Sequence, residues 1–249
     1  MTRGRRAKDW PSYRLALLDH EFLRSPAARG VRLQLEQLKA EEALRAAGIR
    51  STLVVFGSSR VREDGPGAQP RWYAEARRFG RLASEAGGAL HPVGGWRDNV
   101  IATGGGPGIM EAACRGAREA GAPAIGFNIR LPREQAPNRY TTRELTFQFH
   151  YFAIRKLHLA MRARALVVFP GGFGTLDELF EILTLRQTGR MGPVPVVLVD
   201  EAFWRGAIAW EKLVEADMIE RADLDLLRFA PDGEAAWRAL EAAGVAVRG

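Results

Sequence analysis

The chain has a single cysteine, Cys114, which excludes an internal disulfide and any multi-cysteine metal centre. No apolar run approaches the ~20 residues needed to span a bilayer. The basic start, residues 1–8, is not followed by the uninterrupted apolar stretch of a signal peptide. These absences predict a soluble, cytoplasmic protein without a membrane partner. Lysine is scarce, with only Lys8, Lys39, Lys156 and Lys212 to offer a pyridoxal phosphate imine. The four histidines, His20, His91, His150 and His158, show no metal-ligand spacing, so no metal and no cofactor are expected. Two nucleotide signatures are missing as well. The glycines of the chain do not form the Gly-x-Gly-x-x-Gly dinucleotide turn, and no Gly-Lys-Ser/Thr closes a Walker loop. NAD binding and ATP hydrolysis are disfavoured accordingly.

What is present is a chain of 249 residues, 47% apolar, enough for one large domain with a substantial core. Its net charge of +7 is unevenly spread. Residues 1–50 hold 11 Lys/Arg against 6 Asp/Glu, and the remainder 25 against 23. The excess therefore sits in an N-terminal extension, and its arginines do not alternate with stacking aromatics as in a single-strand binder. No nucleic-acid partner is expected. We divide the chain into a basic helical extension, residues 1–50, and one α/β domain, residues 51–249.

The most informative stretch is Pro170-Gly171-Gly172-Phe173-Gly174-Thr175-Leu176-Asp177-Glu178. A charge-free, β-rich run, Ala165–Phe169, precedes it, and a helically spaced run, Leu179–Arg186, follows. A strand, a glycine turn and a helix start direct unpaired backbone N–H groups toward one point, which favours an anion such as phosphate. The bland alternative is a capping box, with Thr175 and Glu178 satisfying helix-end donors reciprocally.

The device recurs upstream. Residues 10–48 read as helical with a break at Ser25-Pro26, and Ser51–Phe56 as a first strand ending in Gly57-Ser58-Ser59. A helix over Trp72–Ala86 follows, then a strand, Asn99–Thr103, and a second glycine turn, Gly104-Gly105-Gly106-Pro107-Gly108, opening a small-residue helix through Ala120. Ala122–Asn128 and Leu145–Phe149 read as strands. Tyr151–Arg164 reads as a helix with Ile154, Leu157, His158 and Met161 on its buried stripe, flanked by Arg155 and Lys156. Pro195–Val199 and Leu226–Phe229 are further strands, and Trp204–Ala216 and Glu234–Ala243 further helices. Alternating strands and helices predict a Rossmann-like, doubly wound, mostly parallel sheet with helices on both faces. Ligands meet such sheets at the carboxyl ends of strands, where Ser58, Gly105, Gly106, Glu134 and Gly171–Glu178 all fall.

With these motifs in view, the chain resembles the Lonely Guy family, also labelled lysine-decarboxylase-like. The resemblance covers roughly residues 51–230. It rests on Pro-Gly-Gly-x-Gly-Thr-x-x-Glu at 170–178, Arg155-Lys156, Gly-Gly-Gly-x-Gly-x-Met at 104–110 and Gly-Ser-Ser at 57–59. It implies a phosphoribohydrolase that cleaves the N-glycosidic bond of a nucleoside 5′-monophosphate, such as AMP or a cytokinin riboside monophosphate, and a homodimer. By the same resemblance Arg155 and Glu178 would be the catalytic pair. Ser58, Gly105, Gly106, Glu134, Lys156, Gly171, Gly172, Phe173, Gly174, Thr175, Asp177 and Thr184 would hold the substrate. Where that family often carries Met-His-x-Arg-Lys, this chain has Tyr151-Phe-Ala-Ile-Arg155-Lys156. Together with residues 134–138, this looks more like bacterial nucleotide nucleosidases than the plant hormone branch. Molybdenum-cofactor carriers share similar glycine turns, and a non-enzymatic carrier of a phosphorylated ligand is the alternative.

Overall fold

The computed structural model describes residues 10–131 and 136–245. Seven short runs form its strands: β1 Thr52–Phe56, β2 Val100–Thr103, β3 Ala124–Ile129, β4 Thr146–Phe149, β5 Ala163–Val168, β6 Val196–Val199 and β7 Leu227–Ala230. They make one sheet in the order β4-β3-β2-β1-β5-β6-β7. The sequence predicts a mostly parallel sheet, and every pairing between these strands is in fact parallel. The chain winds outward from β1 to β4, then returns to β5 on the other side of β1. The switch point lies between β1 and β5, where a doubly wound sheet opens a crevice at its carboxyl ends.

Around the sheet lie α1 His20–Arg24, α2 Arg29–Ala46, α3 Gln69–Ala86, α4 Ile109–Glu119, α5 Phe152–Met161, α6 Phe173–Gln187, α7 Glu201–Ala207, α8 Trp210–Glu215 and α9 Gly233–Ala242. Because side chains alternate along a strand, β1 feeds both layers. Leu53 and Val55 pack with Phe79, Ala113 and Trp237 of α3, α4 and α9. Val54 and Phe56 join Leu44, Leu159, Leu179 and Trp204 on the opposite face. Burial on both faces is why β1, β2 and β6 read as continuous apolar runs.

Helices α3 and α4 meet at glycines. A Cβ at Gly116 would overlap the Arg77 carbonyl oxygen, and one at Gly80 the Ala113 carbonyl. Gly116→Ala is expected to lower unfolding free energy by about 1–3 kcal/mol through overpacking. The urea midpoint should fall with an unchanged m-value. A midpoint equal to wild type would show that the two helices separate freely.

Three expectations need correction. The helix expected before the break at Ser25-Pro26 is not continuous but holds short turns, Pro11–Tyr13 and Ala16–Leu18, ahead of α1, and a further turn, Pro26–Ala28, leads into α2. Prolines at two of these starts and the Asp19 side chain, which accepts from the Glu21 and Phe22 amides, restart the chain each time. The helix expected over Trp204–Ala216 is two, α7 and α8, broken where Ile208 turns extended. The stripe expected on α5 is half wrong. His158 and Leu159 are buried, whereas Leu157 and Met161 are exposed. Helix α2 buries Ala40 and Leu44 in the same cluster as the strands. Among the described residues no helix is long and apolar enough to cross a membrane.

Candidate active site

The site begins where three turns are stitched together at the switch point. After β1, Ser58 N donates to the Pro170 carbonyl at 3.0 Å, and Ile109 N donates to the Ser58 carbonyl at 3.1 Å. These bonds join the turns that follow β1, β5 and β2. Ser58 Oγ accepts from Arg60 N at 3.1 Å and so closes its own turn. Gly108 has φ +73°, and a Cβ there would overlap the Ser58 carbonyl oxygen, so that crossing requires glycine.

The capping box does not form. Helix α6 starts at Phe173 with Gly172 as its N-cap, and no side chain caps it. Thr175 and Glu178 therefore lie inside the helix and both are buried, Glu178 to 4% exposure. Thr175 presses its Oγ1 under Gly171, where a Cβ would overlap it. Among the described residues nothing lies within 4 Å of the Cβ positions of Gly172 and Gly174. Thr175 N turns back onto the Gly172 carbonyl at 2.9 Å, but the amides of Phe173 and Gly174 precede any intrahelical partner. The helix thus presents an open, positively polarised end to the crevice.

One turn further in, Glu178 meets Arg155. Arg155 Nη1 donates to Glu178 Oε1 at 2.9 Å, and Arg155 Nε donates to the Phe127 carbonyl in the second half of β3, at 2.8 Å. Only 12% of the Arg155 side chain and 6% of the Glu178 side chain stay exposed. Burial pushes the Glu178 carboxyl up to about 7, even with the opposing pull of the Arg155 charge. Burial likewise lowers the Arg155 pKa against the pull of Glu178. A Cβ at Gly104 would sit 2.6 Å from Arg155 Nη2 and 2.9 Å from Met110 Sδ, so the glycine makes room for the guanidinium.

Lys156 points to the rim. Its Nζ lies 2.8 Å from Asp177 Oδ1 and 3.0 Å from Glu181 Oε2. Partial burial opposes its charge, but the two carboxylates hold its pKa above the ordinary lysine value. Phe173 is 93% exposed at the helix start. It opens a groove of about 460 Å³ along α6, shared with Lys156, Leu176, Asp177, Phe180 and Thr184. Thr184 Oγ1 donates to the Phe180 carbonyl at 2.7 Å. At about 100° per residue Thr184 shares the face of Asp177 and not that of Glu178.

The predicted residues therefore divide into an inner set and an outer set. Arg155, Glu178, Gly171, Gly172, Gly174, Thr175, Ser58, Gly105 and Gly106 belong to turns and helix ends at the carboxyl edge. Lys156, Asp177, Phe173 and Thr184 line the outer groove. Glu134 lies outside the described residues. Two residues at this edge had been given no role. Asn138 holds the second glycine turn, its amide donating to Gly105 O at 2.9 Å and its Nδ2 to Gly106 O at 3.0 Å. Asn128, near the end of β3, lies beside Gly105. A polar side chain closing an otherwise apolar strand is the signal that marks Asn128. Among the described residues no cluster of His, Cys, Asp and Glu could hold a metal ion.

A parallel, doubly wound sheet with an open helix end and a buried Arg–Glu pair at its switch point defines an α/β protein suited to anionic ligands. Comparison with known proteins narrows this class. A family model described as "possible lysine decarboxylase" matches residues 110–240, more than half of the chain, and the chain belongs to this family, the Lonely Guy or lysine-decarboxylase-like proteins. It is 26% identical over 147 residues to the cytokinin riboside 5′-monophosphate phosphoribohydrolase LOG3 of Arabidopsis thaliana, covering 57% of this chain and 66% of that protein. It is 28% identical over 199 residues to the probable phosphoribohydrolase LOG4 of Oryza sativa subsp. japonica, covering 78% of each. The chain thus spans about two thirds of the length of the first relative. The X-ray structure of TM1055 matches with a TM-score of 0.53 at 22% identity, over 77% of this chain and 99% of that one. A molybdenum cofactor binding protein from Rippkaea orientalis matches at 0.51 and 20% identity, over 78% and 97%. These structural likenesses establish the fold.

Proposed function

We propose that the protein hydrolyses the N-glycosidic bond of a nucleoside 5′-monophosphate, releasing the free base and ribose 5-phosphate. The observation that carries this is the buried Arg155–Glu178 pair set one helical turn behind the open start of α6. In this reading the phosphate takes the amides of Gly172, Phe173 and Gly174, with Thr175 beside them. The ribose then lies over Glu178, whose carboxylate faces the positive charge that grows on the anomeric carbon as the bond to the base breaks. Water adds to that carbon, and the base leaves with a proton. The outer groove between Phe173 and Phe180 offers aromatic faces for the base. Sequence similarity to phosphoribohydrolases supports the same reaction class.

The family's label suggests decarboxylation, but Lys156 argues otherwise. Two carboxylates hold it protonated, which is the wrong state for an amine that must form an imine. The carrier alternative binds the ligand without cleaving it. A carrier has no use for a buried carboxylate beside the sugar, and that favours the hydrolase. A panel of nucleoside monophosphates scored chromatographically for free base separates the two, since a carrier retains the intact nucleotide.

The raised pKa of Glu178 gives a pH dependence. If the carboxylate form is required, kcat/KM rises as pH climbs through about 7 and then levels, since deprotonation supplies the active form. A flat profile from pH 5.5 to 8.5 would remove Glu178 from the chemistry. We also propose a homodimer. Phe152, Leu157 and Met161 of α5 and Phe173 and Phe180 of α6 are exposed apolar side chains on neighbouring helices. Sedimentation showing a monomer at all micromolar concentrations would refute it.

A further inference from the structure

The carboxamide of Asn128 is the polar group in this crevice that the reaction above leaves unused. Ala124, Gly126 and Asn128 share one face of β3, by the alternation of a strand. Gly126 leaves a slot on that face: a Cβ there would lie 3.2 Å from Asn128 Nδ2 and 3.3 Å from Gly105 Cα. The carboxamide fills the slot and lies against Gly105, where any Cβ would overlap its Nδ2. Gly105 itself has φ +71°, so the turn keeps its shape and its vacancy together.

Asn128 is 9% exposed, and its Nδ2 is buried without a hydrogen-bond partner among the described residues. Buried amide donors without an acceptor are rare in folded proteins, and each calls for a reason. The carbonyls of Gly105 and Gly106 accept from Asn138, and neither receives a hydrogen bond from Asn128 Nδ2. The position also matters. Arg155 Nη2 lies against Gly104 and Asn128 against Gly105, so the two side chains flank consecutive residues of one turn. Arg155 reaches from the Phe127 carbonyl to Glu178, which sets the second half of β3 one arginine side chain from α6.

We propose that Asn128 is a sugar-reading residue, its carboxamide hydrogen-bonding a hydroxyl of the ribose of a bound nucleoside 5′-monophosphate. This rests on the hydrolase reading, which puts phosphate at the start of α6 and the anomeric carbon at Glu178. The sugar then extends toward the turn after β2. A carboxamide suits a hydroxyl because each can both donate and accept. Being neutral, it neither competes with Glu178 for Arg155 nor repels the phosphate.

The test compares AMP, 2′-deoxy-AMP and 3′-deoxy-AMP as substrates for the wild type, Asn128→Ala and Asn128→Leu. Leucine keeps the branched shape without the polar atoms, so Asn128→Leu should melt no lower than wild type, having lost an unpaired buried donor. Wild type should prefer AMP to at least one deoxynucleotide by about tenfold in kcat/KM, the scale of one neutral hydrogen bond. Both variants should lose about tenfold on AMP and less than twofold on that deoxynucleotide. Equal losses on all three substrates, or an undiminished preference for AMP in Asn128→Leu, would overturn the assignment and leave the hydrolase reading standing. If the wild type gives neither turnover of any nucleoside monophosphate nor heat on calorimetric titration with AMP, the hydrolase reading fails and takes this assignment with it.

Discussion

Glu178→Gln is expected to lower kcat by about two to four orders of magnitude while leaving nucleotide affinity nearly unchanged. The structure removes the innocent role for this residue. Glu178 does not cap α6, which begins at Phe173, five residues earlier in the chain, without a side-chain cap. It is instead buried against Arg155, and its burial carries a penalty. A carboxyl whose folded pKa lies above its ordinary value binds its proton more tightly in the native state. Stability therefore falls as pH rises from about 4.5 toward about 7. The neutral glutamine escapes that penalty but leaves the buried Arg155 guanidinium without its carboxylate, so the melting of Glu178→Gln should be recorded beside its kcat. A variant that stays folded but has lost turnover would separate a functional carboxylate from a structural one. Near-normal kcat in a folded Glu178→Gln protein would defeat the assignment. The phosphate end should not register the change, since the open amides of Phe173 and Gly174 are untouched.

Arg155→Ala is expected to lower kcat/KM by a comparable factor, and to do so with a distinct signature. The guanidinium is the largest influence holding the Glu178 pKa down against burial. Without it the carboxyl should titrate above about 7, and the rising limb of the pH profile should move to higher pH. Breaking a buried ion pair is usually severe, about 3–5 kcal/mol, because it strands a charge. Here the loss of stability should be smaller at pH 6, where Glu178 can take up a proton, and larger at pH 8. Activity should recover in part as pH rises, which a purely structural lesion would not produce. An unshifted limb would mean that Arg155 does not set the ionisation of Glu178. The hydrogen bond from Arg155 to the Phe127 carbonyl is lost as well, so melting should be recorded alongside the kinetics.

How much of this was visible in the sequence depends on whether a feature is local. The strand–glycine–helix turns were legible because parallel strands buried on both faces give unbroken apolar runs, and Gly104–Gly108 and Gly171–Gly174 punctuate them. The pairing of Arg155 with Glu178 is 23 residues apart and passes through β5, so no spacing rule reveals it. The capping box was a fair local alternative, and only the position of the helix start excludes it. On α5 the periodicity was real but ambiguous. The helix carries apolar residues on two sides, and His158 and Leu159 face the sheet while Leu157 and Met161 face out. A single sequence cannot say which stripe meets the core. His158 goes inward by stacking on Phe127 and Phe149, with ring centroids 5.9 and 5.5 Å away, partners that come from β3 and β4. The break between α7 and α8 falls at Ile208 and Ala209, two residues that do not break helices, and the one nearby signal is Gly206 in the last turn of α7. Asn128 was overlooked for the opposite reason. Its neighbours in sequence form an ordinary strand, and its significance lies in Gly105, reached only through the sheet.

The central claim is that an anion-accepting helix start and a buried carboxylate act on the two ends of one substrate. The most direct measurement incubates the protein separately with AMP and with adenosine and quantifies adenine and ribose 5-phosphate by chromatography. The account predicts equimolar adenine and ribose 5-phosphate from AMP, and adenine from adenosine at less than about a hundredth of that rate, because the phosphate supplies the binding energy that orients the sugar. Equal release of adenine from adenosine and AMP, or intact AMP after prolonged incubation with folded protein, would contradict it.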